Sequence, residues 1–337
     1  MSMRLVQLSS AERRRVAVVE EPHLRLLNAE SVYALADSAI RAGARLSVMV
    51  EGAQTHELLD YGPIYDGSSE WRILPPIDHP EPGRCLISGT GLTHLGSARD
   101  RQAMHAKTLS AEEFAELTDS MKMFRWGVEG GHPDAGRVGV PPEWFYKGNG
   151  SILRSHGEAL RVPSFAEDGG EEAEIASIYI IGPDGRPFRV GMTVGNEFSD
   201  HCFEKKNYLN LAASKLRNCA IGPELVLAPE FESVKGLVTI ERGGRTLWSK
   251  ETRTGEAEMC HSLQNLEHHH FKFEAHRRPG DIHVHFLGAH CLSFGEGIRL
   301  ADGDVMEIAF HGFGRALRNR VEVDRGPNEL ISIISLE

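Results

Sequence analysis

The sequence predicts an α+β protein, a small α/β piece followed by a larger β-rich unit. Three observations carry this. Short apolar runs with period-two alternation recur from Arg84 onward, bounded by Gly- and Pro-rich turns. Helical periodicity is confined to a few segments. A Pro-rich stretch, Pro75-Pro76 and then Pro80-Glu81-Pro82-Gly83, separates the two parts. The boundary falls at 1–73 for an N-terminal packing or lid domain and 74–337 for the unit that carries the candidate chemistry.

Bulk properties narrow the class. A chain of 337 residues, 41% apolar and 25% charged, can bury a substantial core. A net charge of −11 with no basic cluster argues against a nucleic-acid binder. No run approaches the length of a membrane span, and the first residues lack the apolar core of a secretory signal. Five dispersed cysteines without Cys-x-x-Cys spacing suit free thiols, so a cytoplasmic location is expected.

In the N-terminal part, Arg4 to Leu8 and Arg15 to Glu20 alternate as strands. Asn28 is the expected cap of a helix over Ala29–Ala42, whose apolar residues Val32, Leu35, Ala36, Ala39 and Ile40 share a face. Gly43 stops it, and Leu46–Val50 reads as a strand or a second helix. Past the Pro-rich stretch, Arg84–Ser88 is a strand feeding a Gly-rich loop from Gly89 to Ser97. Ser110-Ala111-Glu112-Glu113 is a capping box for a helix ending near Lys122. The Gly- and Pro-rich segment 125–142 reads as a lid or binding loop. Val234–Ile240 and Arg245–Ser249 form a hairpin across Gly243-Gly244, and Glu256–Phe271 reads as a helix. His268-His269-His270 is expected at the surface or an interface. His283 and His285 alternate on a strand over Asp281–Leu287.

The chemistry concentrates between Glu171 and Pro223. Glu174–Ile181 is a strand that ends at the turn Gly182-Pro183-Asp184-Gly185. Glu172 and Glu174 lie two apart and therefore aim together. Carboxylates so close repel unless one is protonated or a cation lies between them. A third carboxylate arrives after the next strand, from Glu197 or Asp200. An all-oxygen ligand set favours magnesium, manganese or calcium over zinc.

The order Glu172-Ala173-Glu174, a strand pair, Asn196-Glu197-Phe198-Ser199, Lys215 and Gly222-Pro223 resembles the fumarylacetoacetate hydrolase superfamily. The similarity runs from about Leu74 onward and is nearest the sugar-acid branch, the 2-keto-3-deoxy-pentonate dehydratases. It implies a mixed β-roll catalytic domain behind the small α/β domain. It implies Glu172, Glu174 and Glu197 as ligands to Mg²⁺, with Mn²⁺ as the alternative ion and Asp200 as the reserve ligand. The family usually has Asp where this chain has Glu197. Lys215 matches the active-site lysine. Phe145-Tyr146-Lys147 matches a Phe-x-Lys motif, with Lys147 able to neutralise a substrate carboxylate. Arg154, His156, Ser199 and Ala289 are further candidate substrate contacts, Ala289 standing where the family has Thr. The family motif Gly-x-Asn-Tyr-x-x-His is altered here. Thr93 and His94 replace Asn-Tyr, and Ser97 replaces the histidine tied to water activation in the C–C hydrolases. His94 is the candidate acid or base in its stead.

The resemblance thus implies an enzyme, a Mg-dependent hydro-lyase. It would dehydrate a 2-keto-3-deoxy-pentonate to 2-oxoglutarate semialdehyde through a metal-stabilised enolate in pentose catabolism, as a cytoplasmic homodimer. The alternative is hydrolysis of a 2,4-diketo-3-deoxy acid to pyruvate and a hydroxyacid. A non-catalytic metal-dependent binder is the reading from another class.

Overall fold

The computed structural model describes residues 2–96 and 119–337. It is a mixed α+β fold, mostly sheet with few helices. The expected capping box at Ser110 lies outside the described residues.

Strands β1 (Arg4–Ser9) and β2 (Arg14–Glu20) pair antiparallel, with Leu5 opposite Val18. A strand that alternation did not reveal, β3 (His23–Leu27), follows the Glu21-Pro22 turn. Helix α1 (Val32–Ala42) buries Val32, Leu35, Ala36 and Ala39, and Gly43 ends it with φ of 61°. Its cap is Ser31, whose side chain accepts from the Ala34 N–H. Asn28 does not cap, because its own N–H is still bonded to the Ala53 carbonyl across the chain. Residues 46–52 form helix α2 (Leu46–Gly52). Next come β4 (Gln54–Asp60), helix α3 (Tyr61–Tyr65) and the short β5 (Arg72–Ile73).

The strand expected at Arg84–Ser88 is β6 (Cys85–Gly91), which runs on through the first three residues of the segment expected to be a loop. Its glycines make room for the neighbouring strand β7 (Glu143–Asn149): a Cβ on Gly89 would meet the Phe145 ring at 2.3 Å, and one on Gly91 the Glu143 carboxylate at 1.9 Å. Helix α4 (Asp119–Gly130) precedes β7. After β8 (Leu153–Arg154) and β9 (Leu160–Val162) comes the hairpin of β10 (Ala173–Ile181) and β11 (Pro187–Asn196). Every residue of β10 is buried, as expected of a strand covered on both faces.

Helices α5 (His201–Lys206) and α6 (Leu211–Lys215) lead to β12 (Cys219–Ile221) and β13 (Leu225–Val226). The hairpin β14 (Val234–Arg242) and β15 (Arg245–Thr254) forms across the two glycines as expected. Helix α7 (Leu263–Phe271) is shorter than its sequence pattern. Ser262 caps it, and the Glu256 side chain accepts from the Leu263 N–H instead of joining the helix. The chain closes with β16 (Ile282–Phe286), β17 (Val305–Phe310) and β18 (Leu317–Val323).

Among the described residues these strands make two sheets. The larger has thirteen strands, with the path β4-β3-β2-β1-β13-β11-β10-β16-β6-β7. The smaller runs β15-β14-β17-β18-β9. Between them lies one core, in which Ile175, Val194 and Phe198 meet Val238, Ile308 and Leu317. A second core packs α1 and α2 on the larger sheet through Leu5, Val32, Leu35, Ile178, Val284 and Phe286.

The N-terminal strands are thus continuous with the rest of the sheet, and a buried carboxylate secures the joint. β1 pairs with β13, Leu5 opposite Leu225. The fully buried Glu224 side chain accepts from Arg4 Nη1 at 2.9 Å, the Tyr61 hydroxyl at 3.0 Å and the Arg315 N–H at 3.0 Å. Removing it strands an arginine and a buried hydroxyl. Glu224→Ala is expected to cost about 3 kcal/mol in a urea unfolding titration. A loss under about 1 kcal/mol would show that the joint is held by sheet pairing alone.

Candidate active site

The β10–β11 register builds the site. Ala173 pairs with Asn196 and Glu174 with Gly195, so the start of one strand meets the end of the other. The Glu197 N–H donates to the Glu172 carbonyl at 2.9 Å, and Asn196 Oδ1 accepts from the N–H groups of Glu172 and Phe198. Glu172, Glu174 and Glu197 are all buried, and each offers a carboxylate oxygen within 4.8 Å of the others. Asp200 is engaged elsewhere: it caps α5 through the Phe203 N–H and pairs with Arg217 at 3.0 Å.

Two buried lysines balance the acids. Lys215 Nζ, at the end of α6, lies 2.5 Å from Glu172 Oε1, 2.7 Å from Glu197 Oε2 and 3.1 Å from Ser199 Oγ. Burial works against its charge, but Glu172 and Glu197 outweigh burial and raise its pKa, so it stays an ammonium. Lys147 Nζ lies 2.6 Å from Glu197 Oε1 and donates to the carbonyls of Phe198 and Lys215 at 2.8 and 2.9 Å. An ammonium has three protons. All three of these are taken, so Lys147 positions Glu197 and the backbone of Lys215 and has no donor left for a substrate carboxylate.

The three carboxylates are not equivalent. Burial opposes the charge of Glu172, yet Lys215 and then His201 overcome it and hold this carboxyl well below its usual range. Glu174 accepts from the Gly288 N–H at 2.6 Å. Burial, followed by repulsion from Glu197 and Glu172, pushes its pKa well above the usual range. The two ammoniums pair with Glu172 and Glu197, and Glu174 is left to keep its proton unless a cation takes the proton's place. Buried, closely spaced oxygen donors that must otherwise hold a proton among them fit a hard divalent cation.

A small cavity of about 20 Å³ opens on this centre, lined by Gly91, Leu92, Glu172, Glu174, Lys215, Gly288, Ala289 and Leu292. A far larger groove, about 1040 Å³, lies between α1–α2 and β11 and contains none of the triad. The small cavity is the better site because the charge converges there.

The other sequence candidates are distributed as follows. Ser199 is in the centre and Ala289 lines the cavity. His94 is buried, bonded to the hydroxyls of Thr93 at 2.8 Å and Thr254 at 3.1 Å, and does not line the cavity. Burial, then His290, lowers its pKa to about 3. Arg154 bonds the carbonyls of Ser151 and Leu153. His156 stacks on Tyr65 and bonds its carbonyl. The structure does not bring these three into the triad.

Two residues that the sequence reading missed stand beside the centre. His201 Nε2 is 3.1 Å from Glu172 Oε1. Glu143 reaches Gly91 on the cavity wall and accepts from the Tyr208 hydroxyl at 2.9 Å. Alternation along β7 was the available signal, since Glu143, Phe145 and Lys147 share its buried face.

The histidines expected at the surface in 268–270 are partly internal. His269 and His270 are buried, and His270 Nε2 bonds His283 Nδ1 at 2.9 Å. His285 bonds the hydroxyls of Ser88 at 2.8 Å and Thr90 at 2.7 Å. Trp144 and His276 complete this ring cluster behind β6.

No family model matches the sequence, and no curated protein matches it. Solved structures do. 2-Keto-3-deoxyarabinonate dehydratase in a hexagonal crystal form is 21% identical, over 96% of this chain and 100% of that one, with a TM-score of 0.70. A second is 2-keto-3-deoxy-D-arabinonate dehydratase complexed with magnesium and 2,5-dioxopentanoate, 21% identical over 96% and 100%, with a TM-score of 0.69. 2-Hydroxyhepta-2,4-diene-1,7-dioate isomerase from Mycobacterium marinum is 15% identical over 96% and 99%, with a TM-score of 0.58. The chain has their fold. These neighbours match the superfamily and the sugar-acid branch that the sequence resembles.

Two outcomes are expected. Mg²⁺ at a hundredfold excess over its dissociation constant should add about 2.7 kcal/mol of stability by mass action. Glu174→Gln should abolish that thermal shift while leaving the melting temperature of the metal-free protein close to that of the unmutated chain, because the amide replaces a carboxyl whose surroundings favour its neutral form. A variant that keeps the Mg²⁺ shift would contradict the assignment. The second outcome concerns acid. His94, His283 and His285 are held near pKa 3 and His261 near 4, in each case first by burial. The unfolded chain takes up protons at these positions below about pH 6.5 and the folded chain does not, so stability falls as pH drops below that value. Each histidine contributes up to about 1.4 kcal/mol per pH unit. Urea midpoints that stay level between about pH 7 and pH 5 would contradict this.

Proposed function

We propose that the chain is a divalent-metal-dependent hydro-lyase that dehydrates a 2-keto-3-deoxy sugar acid. The substrate class is a 2-keto-3-deoxy-pentonate and the product 2-oxoglutarate semialdehyde, in pentose catabolism. The charge balance of the buried centre carries this reading. A divalent cation would displace the proton of Glu174, and three carboxylates, two ammoniums and the cation then sum to a single positive charge, which the carboxylate of a 2-oxo acid neutralises. The neighbour complexed with magnesium and 2,5-dioxopentanoate supports the reading on a shared fold.

Glu172, Glu174 and Glu197 would hold the cation, which would supply Lewis-acid polarisation of a 2-oxo group when bound. Mn²⁺ is the substitute ion. Lys215 presents the one ammonium on the cavity wall; its three protons are taken by Glu172, Glu197 and Ser199, so it would draw the substrate's anionic end by its charge. Lys147 keeps Glu197 in place from behind. Glu143, held by Tyr208, is the side chain positioned to take the C3 proton and return it to the departing C4 hydroxyl. Loss of water across C3–C4 leaves a C3=C4 double bond conjugated with the 2-oxo group; loss of a C5 proton and protonation at C3 move it to C4–C5 as an enol, which tautomerises to the aldehyde. Residues 1–73 act as a packing unit that supports β13 and, through it, β11.

The test is a product assay on D- and L-2-keto-3-deoxy-pentonate with Mg²⁺, read by a nicotinamide-dependent semialdehyde dehydrogenase. Glu143→Gln is expected to lower kcat about 10²- to 10⁴-fold while preserving the Mg²⁺ thermal shift. Absence of semialdehyde from both enantiomers would refute the dehydratase. Pyruvate from a 2,4-diketo-3-deoxy acid would then identify a hydrolase.

A further inference from the structure

Past β18 the chain carries an apolar segment that nothing in the described structure covers. Leu330, Ile331, Ile333, Ile334 and Leu336 are 94, 80, 88, 86 and 101% exposed. Soluble proteins rarely present such a run to water, and its β-branched residues favour an extended strand. No proline interrupts it, and its charges, Glu329 and Glu337, are acidic. A strand of this kind gains most by adding to an open sheet edge, where its backbone and side chains are satisfied together.

Six strands have an open edge among the described residues, and two of them, β5 and β8, have only two residues each. β4 carries Glu57 and Asp60, the sign of the arm itself. β7 is packed against α6. β9 has three residues. β15 has ten, with Arg245 and Arg253 on its exposed face against the single acid Glu251 and with Leu247 exposed, while Lys250 is engaged by Glu296. Length and charge select β15.

The arm cannot reach its own β15. The Asp324 N–H bonds the Val162 carbonyl, and the Pro327 carbonyl accepts from Ser164, so the chain leaves beside β9, at the opposite edge of the five-stranded sheet. Crossing to the far side of β15 spans five strand spacings, roughly 24 Å. The three residues from Pro327 to Leu330 extend about 10 Å.

We propose that residues 330–336 form an exchange arm that adds as a strand to β15 of a second copy of this chain. Two copies that trade arms about a two-fold axis satisfy both edges and close the assembly. The arm is independent of the catalytic centre and of the reaction assigned to it.

Backbone amide exchange of the full-length chain, followed across a dilution series, tests this. Residues 330–336 and the outer amides of β15 should be protected at high concentration and lose that protection together on dilution. Arg245→Glu with Arg253→Glu should abolish the protection at all concentrations, and Glu329→Arg with Glu337→Arg should restore it. Ile333→Asp, at an exposed position that leaves the fold intact, should remove it as well. An arm that exchanges like a free peptide at the highest concentration overturns the proposal. So does protection that ignores dilution, or that survives the charge reversal on β15.

Discussion

The structure depends on a charge balance struck inside its core. Three carboxylates and two ammoniums are buried together at the junction of β10, β11, β7 and α6. Charges taken out of water must be paired in good geometry, or they cost several kcal/mol each. Here the pairing fixes the architecture. Lys147 reaches from β7 to Glu197 and to two carbonyls, tying an outer strand to the segment between β11 and α5. Lys215 ties α6 back to the start of β10. Glu174, the carboxyl that neither lysine pairs with, is the one the protein leaves for a proton or a cation to neutralise.

The support around this centre is built from satisfied polar groups. Gly288 meets Glu174, Asn196 meets the N–H groups of Glu172 and Phe198, and Ser293 meets the buried Glu171. These bonds hold the acids at a spacing their repulsion would otherwise open. A cation binding here finds its ligands already gathered, so little ordering remains to oppose binding.

Much of this was legible in the sequence. Period-two spacing put Glu172 and Glu174 on a common side, and the turn after Ile181 returned the chain so that Glu197 arrived beside them. Gly43, the Gly243-Gly244 turn and the strand over Asp281–Leu287 read directly from local chemistry. Other features were not local. Whether Glu197 or Asp200 joined the centre depended on Arg217, which recruits Asp200 to a helix cap. Lys147 looked like a substrate contact until the carbonyls of Phe198 and Lys215, 51 and 68 residues away, were seen to take its donors. His270 reads as an exposed helix residue, and only its partner on β16 draws it inside. Strand β6 was expected at Arg84–Ser88, and only its continuation through Gly89–Gly91 was hidden by glycines, whose meaning lies in the Phe145 ring and the Glu143 carboxylate opposite them.

The pairing of β1 with β13 sets an order on biosynthesis. Arg4 finds its partner at Val226, more than two hundred residues later. At a synthesis rate of roughly 5–20 residues per second, the growing chain spends about 10–40 s with β1 emerged and one side of it unmatched. Of that edge, Leu8 and Ser9 are met early by Ile73 and Arg72 of β5, whereas Arg4 and the buried Leu5 wait for β13. The nascent protein therefore presents an apolar, hydrogen-bond-hungry margin through most of its translation, and its yield in a cell rests on whatever shields that margin until residue 226 appears.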